Sequence, residues 1–293
     1  MSARAGHVRA VLAVAAFVAW AMVAPGCGAS DSGVGIDDPG ASGGVANGEG
    51  GASGEGGASG DALEADPDAK AGADAHGGPD AKPATPYVSL KTAGDFVVLA
   101  GSAITGSSLT VVNGNVGISP GTAFTGFPPG VVNGTVHIAD AVAAAAKQDL
   151  NDAYKDAASR VGAPVTLAGD LGGLTLAPGL YFSASSLGLD AGDLTLDAAG
   201  NEDSIWVFQI GSSFVTTPNR KVILVGMARA DNVFWNVGSS TTIGVGCTVV
   251  GNFLTQLSIT SNAGTTLEGR FLTQTGAVTL DPSTTINRPK PVH

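Results

Sequence analysis

The stretch Gly251–Gln256 reads GNFLTQ, and Gly269–Gln274 reads GRFLTQ, 18 residues further on. The flanks keep that register. Thr242–Gly246 (TIGVG) aligns with Thr260–Gly264 (TSNAG), and Gly246–Gly251 (GCTVVG) aligns with Gly264–Gly269 (GTTLEG). Pro282–Ile286 (PSTTI) continues the series. Upstream, VVNGNVGI (Val111–Ile118) returns as VVNGTVHI (Val131–Ile138) 20 residues later. VFQIGSS (Val207–Ser213) returns as FWNVGSS (Phe234–Ser240) at a longer spacing, which requires an insertion between them. A unit this short cannot bury its own apolar face, so repeated units must stack, and a period of 18–20 residues built of short strands predicts a β-solenoid. Three strands fit in each coil, with coils stacked at ~4.8 Å. An antiparallel β-sandwich is the competing architecture, and it leaves the shared GxFLTQ and its flanks unexplained.

Composition fits the same picture. Of 293 residues, 44 are Gly, only 5% are aromatic and 13% are charged, so the core must come from Val, Ile, Leu and Ala. Runs such as FVVLAG, IWVFQIG and KVILVG are strand-length and end at turn residues. Ile138–Val161 breaks the pattern. Val142, Ala146, Leu150, Ala153, Tyr154, Ala157 and Val161 fall on one helical face, with Asp140 able to cap the start and Gly162 and Pro164 ending it. About 22 helical residues make a rod of ~33 Å, long enough for about seven coils.

The ends of the chain read differently. Residues 1–26 have a secretory signal's basic start and apolar run, closing in Ala24-Pro25-Gly26-Cys27. That close resembles a bacterial lipobox, with Cys27 the residue that would be acylated; Ala24 stands where Leu is usual. Residues 27–86 are Gly-, Ala- and Asp-rich and include GEGGASGEGGASG. They lack apolar side chains for a core, so composition predicts a disordered tether carrying much of the net charge of −11. The folded domain is expected over 87–293.

Stacking converts the repeat into columns of side chains. Alternation sends Thr242, Thr260 and Thr279 outward as one ladder, with Gly244, Asn262 and Asp281 beside it. A second ladder is expected at Thr248, Thr266 and Thr284, flanked by Val250, Glu268 and Ile286, and a third set at Thr255 and Thr273. Threonine also favours any wet sheet face through β-propensity alone.

Many motifs in order now resemble one family: VNGNVGISPG (Val112–Gly121), FTGFPPG (Phe124–Gly130), AVAAAAKQDLNDAY (Ala141–Tyr154), DLGGLTLAPGLY (Asp170–Tyr181), LTLDAAG (Leu194–Gly200), NVFWNVGSS (Asn232–Ser240) and GRFLTQTGAVTLD (Gly269–Asp281). From about Ser89 to Ile286 the chain resembles the microbial ice-binding proteins. The resemblance implies a right-handed, discontinuous, three-faced β-solenoid with one long helix alongside. It also implies adsorption to ice through one flat solenoid face, with no metal and no cofactor. Departures are Gly226-Met227 where Asn-Gly is common, Asn115 where Asp is frequent, and the charge of Glu268. Outward threonines ~4.8 Å apart lie near the oxygen repeat of an ice axis, and each offers a methyl and a hydroxyl to an ordered water layer. Gly244 and Asn262 beside it, with Asp281 only at the end of the stack, favour the ladder through Thr260 over the one beside Glu268.

Other classes find little footing. A net charge of −11 argues against nucleic acid as partner. His7, His76, His137 and His293 are scattered, with no metal-ligand spacing, and no GxSxG elbow or phosphate loop is present. Asp193, Asp197, Asp203 and Asp281 read as turn residues, as does Asn133 of the sequon-like Asn133-Gly134-Thr135. Cys247 reads as a small buried residue. An enzyme is not expected. A cell-surface adhesin or carbohydrate-binding solenoid without ice activity is the alternative, but sugar platforms expose aromatics, whereas Trp206 and Trp235 lie in apolar runs. A monomer at the cell surface or outside the cell, meeting a membrane only through a lipid on Cys27, completes the expectation.

Overall fold

Every strand pair in the computed structural model, which describes residues 85–290, is parallel, and most partners lie one coil apart in sequence. Thr248 pairs with Thr266 and the register holds without slip to Thr255 and Thr273. Longer coils appear where the sequence requires an insertion: Val207 pairs with Phe234 and Ile210 with Val237. Parallel neighbours cannot be joined by a hairpin; here the rest of each coil makes the crossover. The result is a β-solenoid with three faces and one long helix.

The coils are not stacked in sequence order. Ala103–Thr105 pairs with Val278–Leu280, Val111–Asn113 with Thr285–Asn287, and Phe96–Ala100 with Thr266–Thr273. The N-terminal coils therefore continue the stack beyond the C-terminal one, and the helix (Ala141–Ser159) connects Val136–Ile138 to Val165–Thr166, terminal strands at opposite ends of the largest sheet. Its 19 residues span ~28 Å, most of the ~38 Å of the nine-strand stack between those two strands.

The helix is shorter than its sequence pattern suggests. Asp140 caps it by accepting from the Ala143 N–H at 2.8 Å, and it stops at Ser159. The buried stripe is Ala143, Ala146, Leu150, Ala153 and Ala157. Val142 is half exposed and Val161, beyond the helix end, is 94% exposed, so neither belongs to the stripe. Small alanines are used because the helix lies directly on a sheet, whose outward Leu180, Val207, Phe234, Leu254 and Leu272 it buries. That sheet face is dry on both sides. Polar seams hold it: the Asn236 amide donates to the Tyr154 carbonyl (3.0 Å), the Gln209 amide to Ala157 (2.8 Å), and the Lys147 ammonium to Gln274 (2.8 Å) and Thr273.

The opening repeat now has a physical reading. Its glycine turns the strand from one face to the next: Gly251 sits at φ 105°, and a Cβ on Gly269 would lie 2.0 Å from the Gly251 carbonyl oxygen. Its phenylalanine points inward, where Tyr181, Phe208, Trp235, Phe253 and Phe271 form a continuous column with centroids 4.1–5.6 Å apart. Each such ring contributes roughly 1.5–3 kcal/mol by burial. Its leucine points outward under the helix. Its threonine is inward: Thr255 and Thr273 are fully buried, and the Thr255 hydroxyl lies 2.9 Å from that of Thr241. The third set of threonines is thus a corner of the core and not a surface, because the helix-covered face leaves its outward positions to apolar residues.

Candidate functional site

Period-two alternation decides which side chains of the eight-stranded sheet reach solvent. In Thr241–Ile243, Ile259–Ser261 and Val278–Leu280 the outer residues are buried and the middle one is not. Thr242, Thr260 and Thr279 are register partners, as the spacing predicts. The row then crosses the seam between the two ends of the domain. Thr279 pairs with Thr105, and Thr105 with Thr125, whose hydroxyls are 3.4 Å apart. Five threonines on five successive coils form one row. In the other direction it continues as Val215, Gly188 and Asp170.

A second outward row lies two residues earlier, ~6.6 Å away along the strands. Register and ladder hydrogen bonds run it through Ser213, Ser240, Ser258 and Ala277, with Ala103 beside Ala123 at the far end. The face is an array of small, uncharged side chains at ~4.8 Å along the stack. The first charge in the threonine row is Asp170 on its last strand. That carboxylate is held below the usual range by the backbone N–H groups of Asp190, Gly172 and Ala191, with Arg220 adding a favourable charge. Gly244, Asn262 and Asp281 occupy the turn just past the row, with Gly244 buried and Asn262 and Asp281 part-exposed; because Thr279 pairs on with Thr105, Asp281 is a charge beside the middle of the row and not at the end of the stack as expected. Thr105 and Thr125 escaped the sequence reading, although AITG (Ala103–Gly106) and AFTG (Ala123–Gly126) repeat 20 residues apart and mark the same position.

The second expected ladder differs from its prediction. Thr248 and Thr266 do point outward on a neighbouring face, but the partner of Thr266 is Thr285. Thr284 is fully buried with its hydroxyl 3.5 Å from that of Ser261, and Ile286 is buried against the column of Leu267. The cause is one extra residue in the turn, Gln274-Thr275-Gly276-Ala277 against Gln256-Leu257-Ser258, which lengthens that coil to 19 and shifts every later position by one. Thr248 pairs with Lys221, and Glu268 pairs with Asn287 in the adjacent row, so this face carries charge in both of its outward rows. The Asn287, Asn113 and Asn133 amides continue that row as a hydrogen-bonded ladder with 2.8 Å links.

Other singled-out residues fall away from both rows. Cys247 is buried, its sulfur 3.3 Å from the Thr216 hydroxyl. Trp206 and Trp235 are fully buried. His137 sits beside the helix cap, 2.7 Å from the Asp140 carboxylate. Asp193 and Asp197 accept backbone N–H groups in turns. Among the described residues no three His, Cys, Asp or Glu side chains come together in a way that could hold a metal ion. Cys27 lies outside the described residues.

Comparison with known proteins follows the same line. The family model described as Ice-binding-like matches residues 98–287. An ice-binding protein of Nostoc sp. (strain HG1) is 43% identical over 68% of this chain and 73% of its own length. One of Colwellia sp. is 37% identical over 70% and 86%. Among solved structures, an ice-binding protein from an Antarctic biological consortium superposes with a TM-score of 0.69 at 47% identity, covering 71% of this chain and 93% of that one. The DUF3494 domain of a Shewanella frigidimarina ice-binding protein gives 0.66 at 26%, covering 71% and 100%.

Proposed function

The chain belongs to the ice-binding-like family, and from that premise we propose that it adsorbs to ice through the face carrying Thr125, Thr105, Thr279, Thr260 and Thr242, and so inhibits ice growth and recrystallisation. The carrying observation is the unbroken five-threonine row, flanked by a row of serines and alanines. Its threonines recur at the strand spacing, and their methyl and hydroxyl groups can hold a lattice-like water layer without the strong reorientation that a charge imposes. The scaffold is rigid, so little conformational entropy is lost at the surface. An adsorbed protein pins the ice front, which curves between pinning points and stops advancing. This is binding without catalysis, and it uses no cofactor. The carbohydrate-binding alternative finds no support, since Trp206 and Trp235 are in the core.

The rest of the assignment rests on sequence. The leader supports export, and Cys27 supports a lipid anchor at the cell surface, with the Gly-rich stretch as linker and the domain acting as a monomer. Adding the full chain to a polycrystalline ice film tests the main reading: grain coarsening should slow in the presence of the wild type. An unchanged coarsening rate at micromolar protein would dismiss it.

A further inference from the structure

A third row flanks the threonines on the side away from the serines. Two residues past Val215, Thr242, Thr260, Thr279 and Thr105 stand Thr217, Gly244, Asn262, Asp281 and Ser107. The ladder hydrogen bonds reach this far: the Asn262 N–H donates to the Ile243 carbonyl at 3.0 Å, and the Asp281 N–H to the Ser261 carbonyl at 2.9 Å. Three of these residues then open the same turn. The carbonyls of Ser107, Asn262 and Asp281 accept the N–H groups of Thr110, Thr265 and Thr284, each three residues on. Equivalent positions thus hold Thr, Gly, Asn and Ser, and Asp281 alone among them is charged.

The turn does not account for that charge. Turns favour Asp because its carboxylate accepts nearby backbone N–H groups, as those of Asp170, Asp193 and Asp197 do. Among the described residues no group donates to the Asp281 carboxylate and no cation pairs with it. It is left to water. An ionised carboxylate only accepts hydrogen bonds, so every water on it must turn a hydrogen inward. A water in the ice lattice both donates and accepts, and a hydroxyl or an amide can take its place because each does the same.

We propose that Asp281 sets the edge of the ice footprint, confining the crystal to the threonine row and the row of Ser213, Ser240, Ser258 and Ala277. The inference rests on the ice-binding reading above and adds the residue that limits it. Water held by the carboxylate at ~2.8 Å occupies the third row and stays clear of the threonines, ~6.6 Å away along the strands. The domain therefore meets the crystal off-centre, toward the serines. Asn262 and Ser107 stand outside the contact although their side chains could join it.

One coil samples all three rows, at Ser258, Thr260 and Asn262. Ice-affinity partitioning of the full chain, with a melt of each variant, reads the footprint. Ser258→Tyr and Thr260→Tyr should each lower adsorption about tenfold, whereas Asn262→Tyr should change it by less than about twofold. Asp281→Asn keeps the shape, removes the charge and adds a donor, and should raise adsorption about threefold. Asp281→Ser, which copies Ser107, should also raise it, so a folding defect in one variant leaves the other to decide. In the Asp281→Asn background the footprint widens, and Asn262→Tyr should now remove the gain. A merely structural Asp281 would move the melt and leave the two substitutions additive; additive effects overturn the proposal. Adsorption that fails to rise in both Asp281 variants at unchanged melts also overturns it, as does an Asn262→Tyr loss equal to that of Thr260→Tyr in the wild-type chain. Each of these outcomes leaves the ice-binding reading standing. A wild-type chain that stays in the liquid removes both.

Discussion

Thr105 and Thr279 are register partners on adjacent strands, although 174 residues of sequence separate them. Their pairing closes the seam between the first coils of the domain and the last. The surrounding contacts are dense: Val98 and Leu99 pair with Phe271 and Leu272, Thr285 pairs with Val111, and the Thr110 hydroxyl donates to the Asp281 carbonyl at 3.3 Å. Two of the five threonines therefore join the row only through long-range docking. The proposed ice face is a property of the closed stack and not of any one repeat.

A bulky side chain in the middle of the row should break lattice match without touching the core. Thr260→Tyr and Thr105→Tyr should each weaken ice adsorption about tenfold, or 1.4 kcal/mol, while stability changes by no more than about 0.5 kcal/mol, as for most exposed substitutions. Thr266→Tyr on the charged face is the matched control and should leave adsorption unchanged. Ice-affinity partitioning with a parallel melt reads all three. Loss confined to Thr266→Tyr would move the site to the other face.

Val215 continues the row one coil past Thr242 and is 42% exposed. Val215→Thr is nearly isosteric and would extend the hydroxyl array to a sixth coil. Adsorption should rise by up to about twofold, or 0.4 kcal/mol. Val215→Lys should lower it, because a charge reorients the water layer. A loss with Val215→Thr would place the working footprint elsewhere. Thermal hysteresis at equal protein concentration measures both.

How much of this was legible follows from how each feature is encoded. Identity of GNFLTQ and GRFLTQ revealed the stack, since identical residues recur where each coil places a corner, an inward ring and a helix contact. The ladder through Thr242, Thr260 and Thr279 was legible because hydrophobic neighbours fixed its alternation. The ladder ending at Thr284 was misread because Gly276 adds one residue in a turn, and in a period-two strand a shift of one exchanges inside for outside. Thr105 and Thr125 were hidden for another reason. The discontinuity places them beside Thr279, and nothing local in the sequence says which coil they stack upon. Val161 fits a helical stripe in periodicity, but the chain has already turned toward the next strand.

Arg270, in the variable position of the repeat, ties three segments together. Its guanidinium donates to the Gly94 carbonyl (3.1 Å), the Asp231 carboxylate (2.7 Å) and the Asn252 amide oxygen (2.7 Å), and the residue is 7% exposed. Arg270→Met keeps the apolar stem and leaves those acceptors without their donor. The expected loss is about 2–3 kcal/mol, with amide exchange accelerated over residues 89–95. A loss under about 0.5 kcal/mol in urea titration would show that water replaces the guanidinium at no cost. Ice adsorption in the cold should be unchanged, because none of these groups borders the threonine row.

Lys147 makes stability depend on alkaline pH. Burial between helix and sheet pushes its ammonium down to about 8 from 10.5, with the Thr273 and Gln274 carbonyls as its acceptors. In the unfolded chain the amine keeps its proton up to its ordinary value. Between about pH 8 and 10.5 the unfolded state therefore binds more protons, and raising pH shifts the balance toward the folded state. Below about pH 8 the group is charged in both states and the burial penalty is present in full. The melting temperature should rise between pH 8 and 10 from this group. Lys147→Met removes the titrating site, so its profile should lie above that of the wild type at pH 7 and converge with it near pH 10. Parallel profiles over that range would mean that the two carbonyls stabilise the ammonium as well as water does.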